Sequence, residues 1–187
     1  MAKELSGRIW VGRFPDAKAT DALADDFRPG CEAFIAAMRA AGASVSINST
    51  RRPAERAYLM FCAWRIAKNI FGPQDAPVQA GVDVEWIHRR ADGSADLAAS
   101  RAAAEDMVEA YDIAFAPALH SRHTEGHAID MSVDWAGNLV IANRNGSQTT
   151  ITGSPHDGTN AMLRAVGQTY GVIKNLHDPP HWSTDGR

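Results

Sequence analysis

The chain has 187 residues, 45% of them hydrophobic, with 19 basic against 22 acidic side chains and a net charge near −3. That length supports one core of ordinary size and predicts a single domain over residues 1–187. The charge balance excludes the basic footprint of a nucleic-acid binder or of a protein held to an anionic membrane, and no stretch approaches the roughly 18 apolar residues that span a bilayer.

The start, MAKELSGRIWVGRF, lacks the apolar run of a secretory signal, so synthesis in the cytoplasm without a signal peptide is expected. Residues 31–41, CEAFIAAMRAA, place Phe34, Met38 and Ala41 at helical spacing ahead of Gly42. SVSINS follows, with Val45 and Ile47 alternating with polar residues as in a strand. A second helix is predicted from Pro53, a suitable first helical residue, through apolar positions up to Ile70, with Gly72 and Pro73 as the stop. The next stretch, GPQDAPVQAGVDVEWIHRRADGS, reads as a long loop with a short strand at Val82, Val84 and Trp86; long loops in compact domains are often functional. Residues 97–113 form an Ala-rich helix with Met107, Ala110 and Tyr111 on one side. NLVIA and TTIT flank the turn-like NRNGSQ as a hairpin, and NAMLRAVGQTYG gives a last helix. Cys31 and Cys62 lie within apolar helical patterns, which predicts buried thiols rather than a disulfide. Together these elements predict an α+β fold without repeats or linkers.

Six of the seven histidines fall between His120 and His181, which suggests a metal. In HTEGH, His123 and His127 stand four apart, the spacing by which a helix presents two zinc ligands. That reading fails on two counts. Glu125 is not directly after the first histidine, and Gly126 inside a helical turn costs about 1 kcal/mol. From 127 onward, His127, Ile129, Met131, Val133 and Trp135 alternate with Ala128, Asp130, Ser132 and Asp134, the period of a strand. Asp130 then belongs to the polar face and His127 to the apolar one. His123, before the Gly126 turn, can swing back beside Asp130.

A third ligand is sought in HDPPHW. Asp178 precedes a proline, and the two prolines impose either a polyproline geometry or a tight turn. Either places Asp178 and His181 on one side, so that one can ligate while the other stands outside. Two neutral imidazoles and one carboxylate leave a zinc ion near +1, enough to acidify a bound water, and a second carboxylate would weaken that effect. His123, Asp130 and His181 are therefore the expected ligands of one Zn2+, with Asp178 as general base. His88, His120, His127, His156 and His177 are expected to be surface or supporting residues.

Ser121, His123, Gly126, Ala128 and Asp130 match S-x-H-x-x-G-x-A-x-D, and Asp178 with His181 matches D/E-x-x-H. STRRPAERAYL resembles an S/T-x-x-R-S/T/P segment, aligning Arg52 with a substrate arginine. Over residues 45–185 the chain thus resembles the zinc D-alanyl-D-alanine peptidases and the phage L-alanyl-D-glutamate endopeptidases, which share the Hedgehog fold. The resemblance implies a small antiparallel sheet flanked by helices, zinc on His123, Asp130 and His181, and Asp178 as base. Arg52 would polarise the scissile carbonyl or stabilise the oxyanion, and Ser121 would bind substrate or steady its loop. Arg51 stands where relatives often carry an aromatic residue. Aspartate at 178, where the carboxypeptidase branch usually has glutamate, leans toward the endopeptidases.

The expected function is a monomeric zinc peptidase that hydrolyses an amide bond in peptidoglycan stem peptides, acting at the cell wall after release or delivery in a virion. A D,D-carboxypeptidase or dipeptidase, and a zinc-stabilised wall-binding domain without activity, remain as alternatives.

Overall fold

The computed structural model of the protein describes residues 3–187. In chain order the elements are β1 (Glu4–Leu5), α1 (Arg28–Ala40), β2 (Ser44–Ser49), α2 (Ala54–Ala67), β3 (Val84–Glu85), α3 (Leu97–Ala110) and the single turn α4 (Arg122–Glu125). They continue with β4 (Ala128–Asp134), β5 (Leu139–Ala142), β6 (Gln148–Ile151), α5 (Ala161–Thr169), β7 (Ile173–Lys174) and β8 (His181–Ser183). The class is α+β, as the sequence predicts. Among the described residues no helix is long and apolar enough to cross a membrane. The chain forms two compact units that interleave in sequence: the residues up to Pro15 with Pro53–His120, and Asp16–Arg52 with Ser121–Arg187.

The first unit is built on α2 and α3. Leu59, Cys62, Ala63 and Ile66 of α2 share one buried cluster with Ala104 and Met107 of α3, which Trp10, Val84 and Trp86 complete. Pro53, expected inside α2, caps it instead, with ψ of 145°. The helix stops at Ala67, short of Ile70, because Asn69 takes a left-handed φ of 54°. Likewise α3 ends at Ala110 rather than 113, before Asp112 with the same φ. The 73–96 stretch is pinned to its unit: Val82, Val84 and Trp86 are buried, β3 pairs in parallel with β1, and Tyr58 donates to the Pro77 carbonyl.

The second unit carries a four-stranded antiparallel sheet in the order β2-β4-β8-β7. The alternation expected along β4 holds from Ile129 onward: Ile129, Met131 and Val133 are buried, whereas Ser132 and Asp134 are exposed and Asp130 is half-buried; Ala128, expected on the polar face, is buried as well. The buried side chains pack with Phe34 and Met38 of α1, Leu163 and Val166 of α5, and Trp182 of β8. The expected hairpin is β5–β6. Cys31 and Cys62 are free and buried, and burial pushes both thiols up, Cys62 to about 12.

At the start of α5, the buried Asn160 accepts from the Met162 and Leu163 amides and donates to the Pro155 carbonyl. Asn160→Ala removes the cap and the bonds to the Pro155 and Gly153 carbonyls. It is expected to lower unfolding free energy by about 1–2 kcal/mol in urea titration.

Candidate metal centre

Sheet register places the first two members of the site. Asp130 of β4 pairs directly with His181 of β8, so both side chains leave the same face. On its other edge, β4 pairs with β2 through a bulge, where Ile47 faces Met131 but Ser49, not Asn48, faces Asp130. The extra residue turns the end of β2, as bulges beside functional sites do. The Thr50 carbonyl just beyond it accepts from His123 Nδ1 at 2.7 Å.

His123 arrives on α4, a single turn that the sequence reading did not foresee; the helix it rejected, carrying both His123 and His127, does not form. Ser121 caps the turn by accepting from the Thr124 amide, and Thr124 Oγ1 accepts from the Ser121 amide. Gly126, at φ 80°, ends it after four residues; its Cα lies so close to the chain at Ala24 that an added Cβ would sit 3.0 Å from that nitrogen. His127 stays outside the cluster, as expected. It lies past the glycine, its Nε2 is 2.9 Å from Asp26 Oδ1, and it packs edge-on against Phe27.

Three atoms converge. His123 Nε2 is 3.1 Å from Asp130 Oδ1 and 3.1 Å from His181 Nδ1, and His181 Nδ1 is 3.2 Å from Asp130 Oδ1. The outer nitrogens fix the tautomers. His123 Nδ1 faces the Thr50 carbonyl and His181 Nε2 faces the main-chain oxygen of Arg187 at 3.1 Å, and both oxygens can only accept. In neutral imidazoles the inner nitrogens therefore carry lone pairs, and with the carboxylate oxygen three acceptors meet with no hydrogen among them. Such a cluster needs a cation, either a proton or a metal ion. Ligands about 2.0–2.1 Å from a tetrahedral zinc lie roughly 3.3 Å apart, close to the spacing here. The buried His123 and His181 with half-buried Asp130 can hold a metal ion, and they form the one such group among the described residues.

The electrostatics agree. Burial pulls the His123 pKa down, but the hydrogen bond and charge of Asp130 and the Thr50 carbonyl outweigh it, and the net shift is upward. Burial would raise Asp130, yet the two imidazoles, which hydrogen-bond it and attract it once protonated, hold it well below the usual carboxylate range.

Arg52 lies beside this group. Its amide donates to the His123 carbonyl and its guanidinium lowers the His123 pKa through charge. Arg52 Nε and Nη2 donate to the Asp16 carboxylate at 3.2–3.3 Å, and Ser49 Oγ donates to the same group. Asp16 thus fixes the arginine. Sequence reading missed it, since nothing in FPDAKAT marks it. Asp178 is exposed and outside the triad; the Asp178–His181 segment is a tight turn, with the His181 amide donating to the Asp178 carbonyl at 3.1 Å. Ser121 is occupied as the cap of α4. Arg122 was also missed: it donates twice to Asp185 and once to Glu125, tying α4 to the segment after β8.

A groove of about 380 Å³ runs over Asn48, Ser132, Thr159, Pro179 and Pro180, next in sequence to Asp130 and within the turn that bears Asp178. A larger cavity of about 590 Å³ between the β5–β6 turn and α5 shares no residue with the triad, so chemistry rather than size marks the site. No protein-family model matches the chain, and comparison with curated proteins gives no match either.

The raised His123 pKa means that the metal-free fold gains stability from its proton below 6.5 and loses it as pH rises through the higher folded value. The urea midpoint of chelator-treated protein should therefore fall as pH increases from 6.5 upward, and a saturating divalent ion should abolish that fall. An ion at 100 times its Kd should add about 2.7 kcal/mol to unfolding free energy.

Proposed function

We propose that the protein is a zinc peptidase that hydrolyses an amide bond in the peptide stems of bacterial cell wall. The observation that carries the reading is the convergence of His123 Nε2, His181 Nδ1 and Asp130 Oδ1 within 3.2 Å of one another beside a fixed arginine. The residues match those of the peptidase motifs described above, and the donor set, two imidazoles and one carboxylate, is that of a catalytic rather than a closed structural zinc site. When bound, zinc supplies a Lewis acid and lowers the pKa of water toward neutrality.

The chain's own residues divide the rest of the work. Asp178, exposed on the turn three residues before His181, accepts the proton of the attacking water at its carboxylate and delivers it to the leaving amine nitrogen. Arg52 meets the negative charge that develops on the carbonyl oxygen. Its guanidinium is permanently charged and already oriented by Asp16, so it needs little reorganisation as the charge appears. The groove over Ser132, Asn48 and Thr159 offers hydroxyl and amide groups for the main chain of an extended peptide. A wall-binding domain stabilised by zinc would use the same three ligands, but it has no use for an exposed carboxylate on the turn that leads into one of them.

Digestion of purified peptidoglycan followed by mass spectrometry tests the reading and identifies the bond. New amino termini within the stems indicate an endopeptidase, loss of a terminal D-alanine a carboxypeptidase. With zinc retained, Asp178→Asn should lower kcat by about 10²–10⁴-fold, and Arg52→Ala by about 10²–10³-fold. Sacculus binding with no released amine would favour the wall-binding domain. Undiminished turnover by Asp178→Asn would remove the base from the mechanism.

A further inference from the structure

Lys174 stands on β7 opposite Trp182 and is only 5% exposed, an unusual place for an ammonium. Its Nζ lies over the Trp182 ring at 5.4 Å and donates to three main-chain carbonyls: Asn175 at 3.0 Å, Asp178 at 2.6 Å and His181 at 2.9 Å. Those three bonds use every donor an ammonium has. They also span the connection that carries Asp178 and ends on His181.

This connection cannot hold itself. Pro179 and Pro180 have no N–H, so its main chain is rich in acceptors and poor in donors. Main-chain amides close it at only two carbonyls from within, His181 donating to Asp178 and Asn175 donating to His181, while the His177 amide donates to the Asn175 side chain and the Met131 amide reaches the Pro180 carbonyl from β4. The ammonium supplies the missing donors from inside. An apolar side chain could fill the same space on Trp182 but would leave the Asn175 carbonyl without this partner and the Asp178 and His181 carbonyls with one bond fewer.

We infer that Lys174 is a positioning residue, an internal clamp that sets the 175–181 turn so that the His181 imidazole and the Asp178 carboxylate are presented together. The clamp acts through main-chain oxygens and touches neither substrate nor the reacting atoms. It is independent of the peptidase reading in what it holds, and rests on the metal reading only for its effect on ion binding.

The test uses the full chain and Lys174→Met, which keeps the packing on Trp182 and deletes the three donors. In metal-free protein, hydrogen exchange at the Asn175 and His181 amides should accelerate at least tenfold, with exchange along β2 and β4 unchanged. Titration with Co2+ alone should show at least a tenfold weaker Kd and an altered visible absorption spectrum. Asn160→Ala serves as the purely structural control: it should lower the melting temperature while changing Co2+ affinity less than twofold. Wild-type exchange at both amides in Lys174→Met, or equal loosening of Co2+ by Asn160→Ala, overturns the assignment. Should Lys174→Met fail to fold, Lys174→Gln carries the same measurements; failure of both reduces Lys174 to a stability role and also overturns it. A wild-type chain that takes up no Co2+ sinks the metal reading, while the exchange rates still decide the clamp.

Discussion

Three acceptor atoms from three separate segments converge on one spot, and while both imidazoles are neutral none of the three can donate to the others. His123 Nε2, His181 Nδ1 and Asp130 Oδ1 repel one another unless a cation lies among them. The fold accepts that cost because the outer edges of both imidazoles are held by main-chain oxygens, which forbid the tautomers that would place a proton inward without adding a charge. The surrounding structure therefore amounts to a set of supports that keep three lone pairs together.

Each support has a distinct physical origin. The Asp130–His181 pairing follows from antiparallel register, and the hydrophobic alternation of β4 protects that register, since a one-residue slip would bury the aspartate and expose Ile129 and Met131. His123 depends on a capped single turn, too short to persist alone, that Gly126 terminates and Arg122 braces through Asp185. The strand bulge at Asn48 delivers the Thr50 carbonyl, and the buried Lys174 ammonium fills the donor deficit of a two-proline turn. These supports lie mostly in main-chain hydrogen bonding, which is why several belong to residues that offer no ligand atom to the site.

That division governs what the sequence could reveal. Periodicity located α1, β2, β4 and α5 because each buries one regular face, and the His123–Asp130–His181 group was legible because histidines and an aspartate at that spacing form a pattern that chance seldom assembles. Helix ends were less visible. Asn69 and Asp112 stop α2 and α3 through left-handed backbone that side chains only weakly announce. The turn at His123 was hidden because four residues show no period, and a glycine that argues against a long helix is also the residue that ends a short one. Asp16, Arg122 and Lys174 could not have been singled out in advance, since each acts on partners that only the tertiary fold brings near.

The proposal turns on one ion held by His123, Asp130 and His181, and anomalous diffraction at the zinc absorption edge, from crystals grown with zinc, tests it most directly. One strong peak per chain is predicted, bounded by His123 Nε2, His181 Nδ1 and an Asp130 oxygen. No peak there, or one bound by other side chains while these three keep their present contacts, would contradict it.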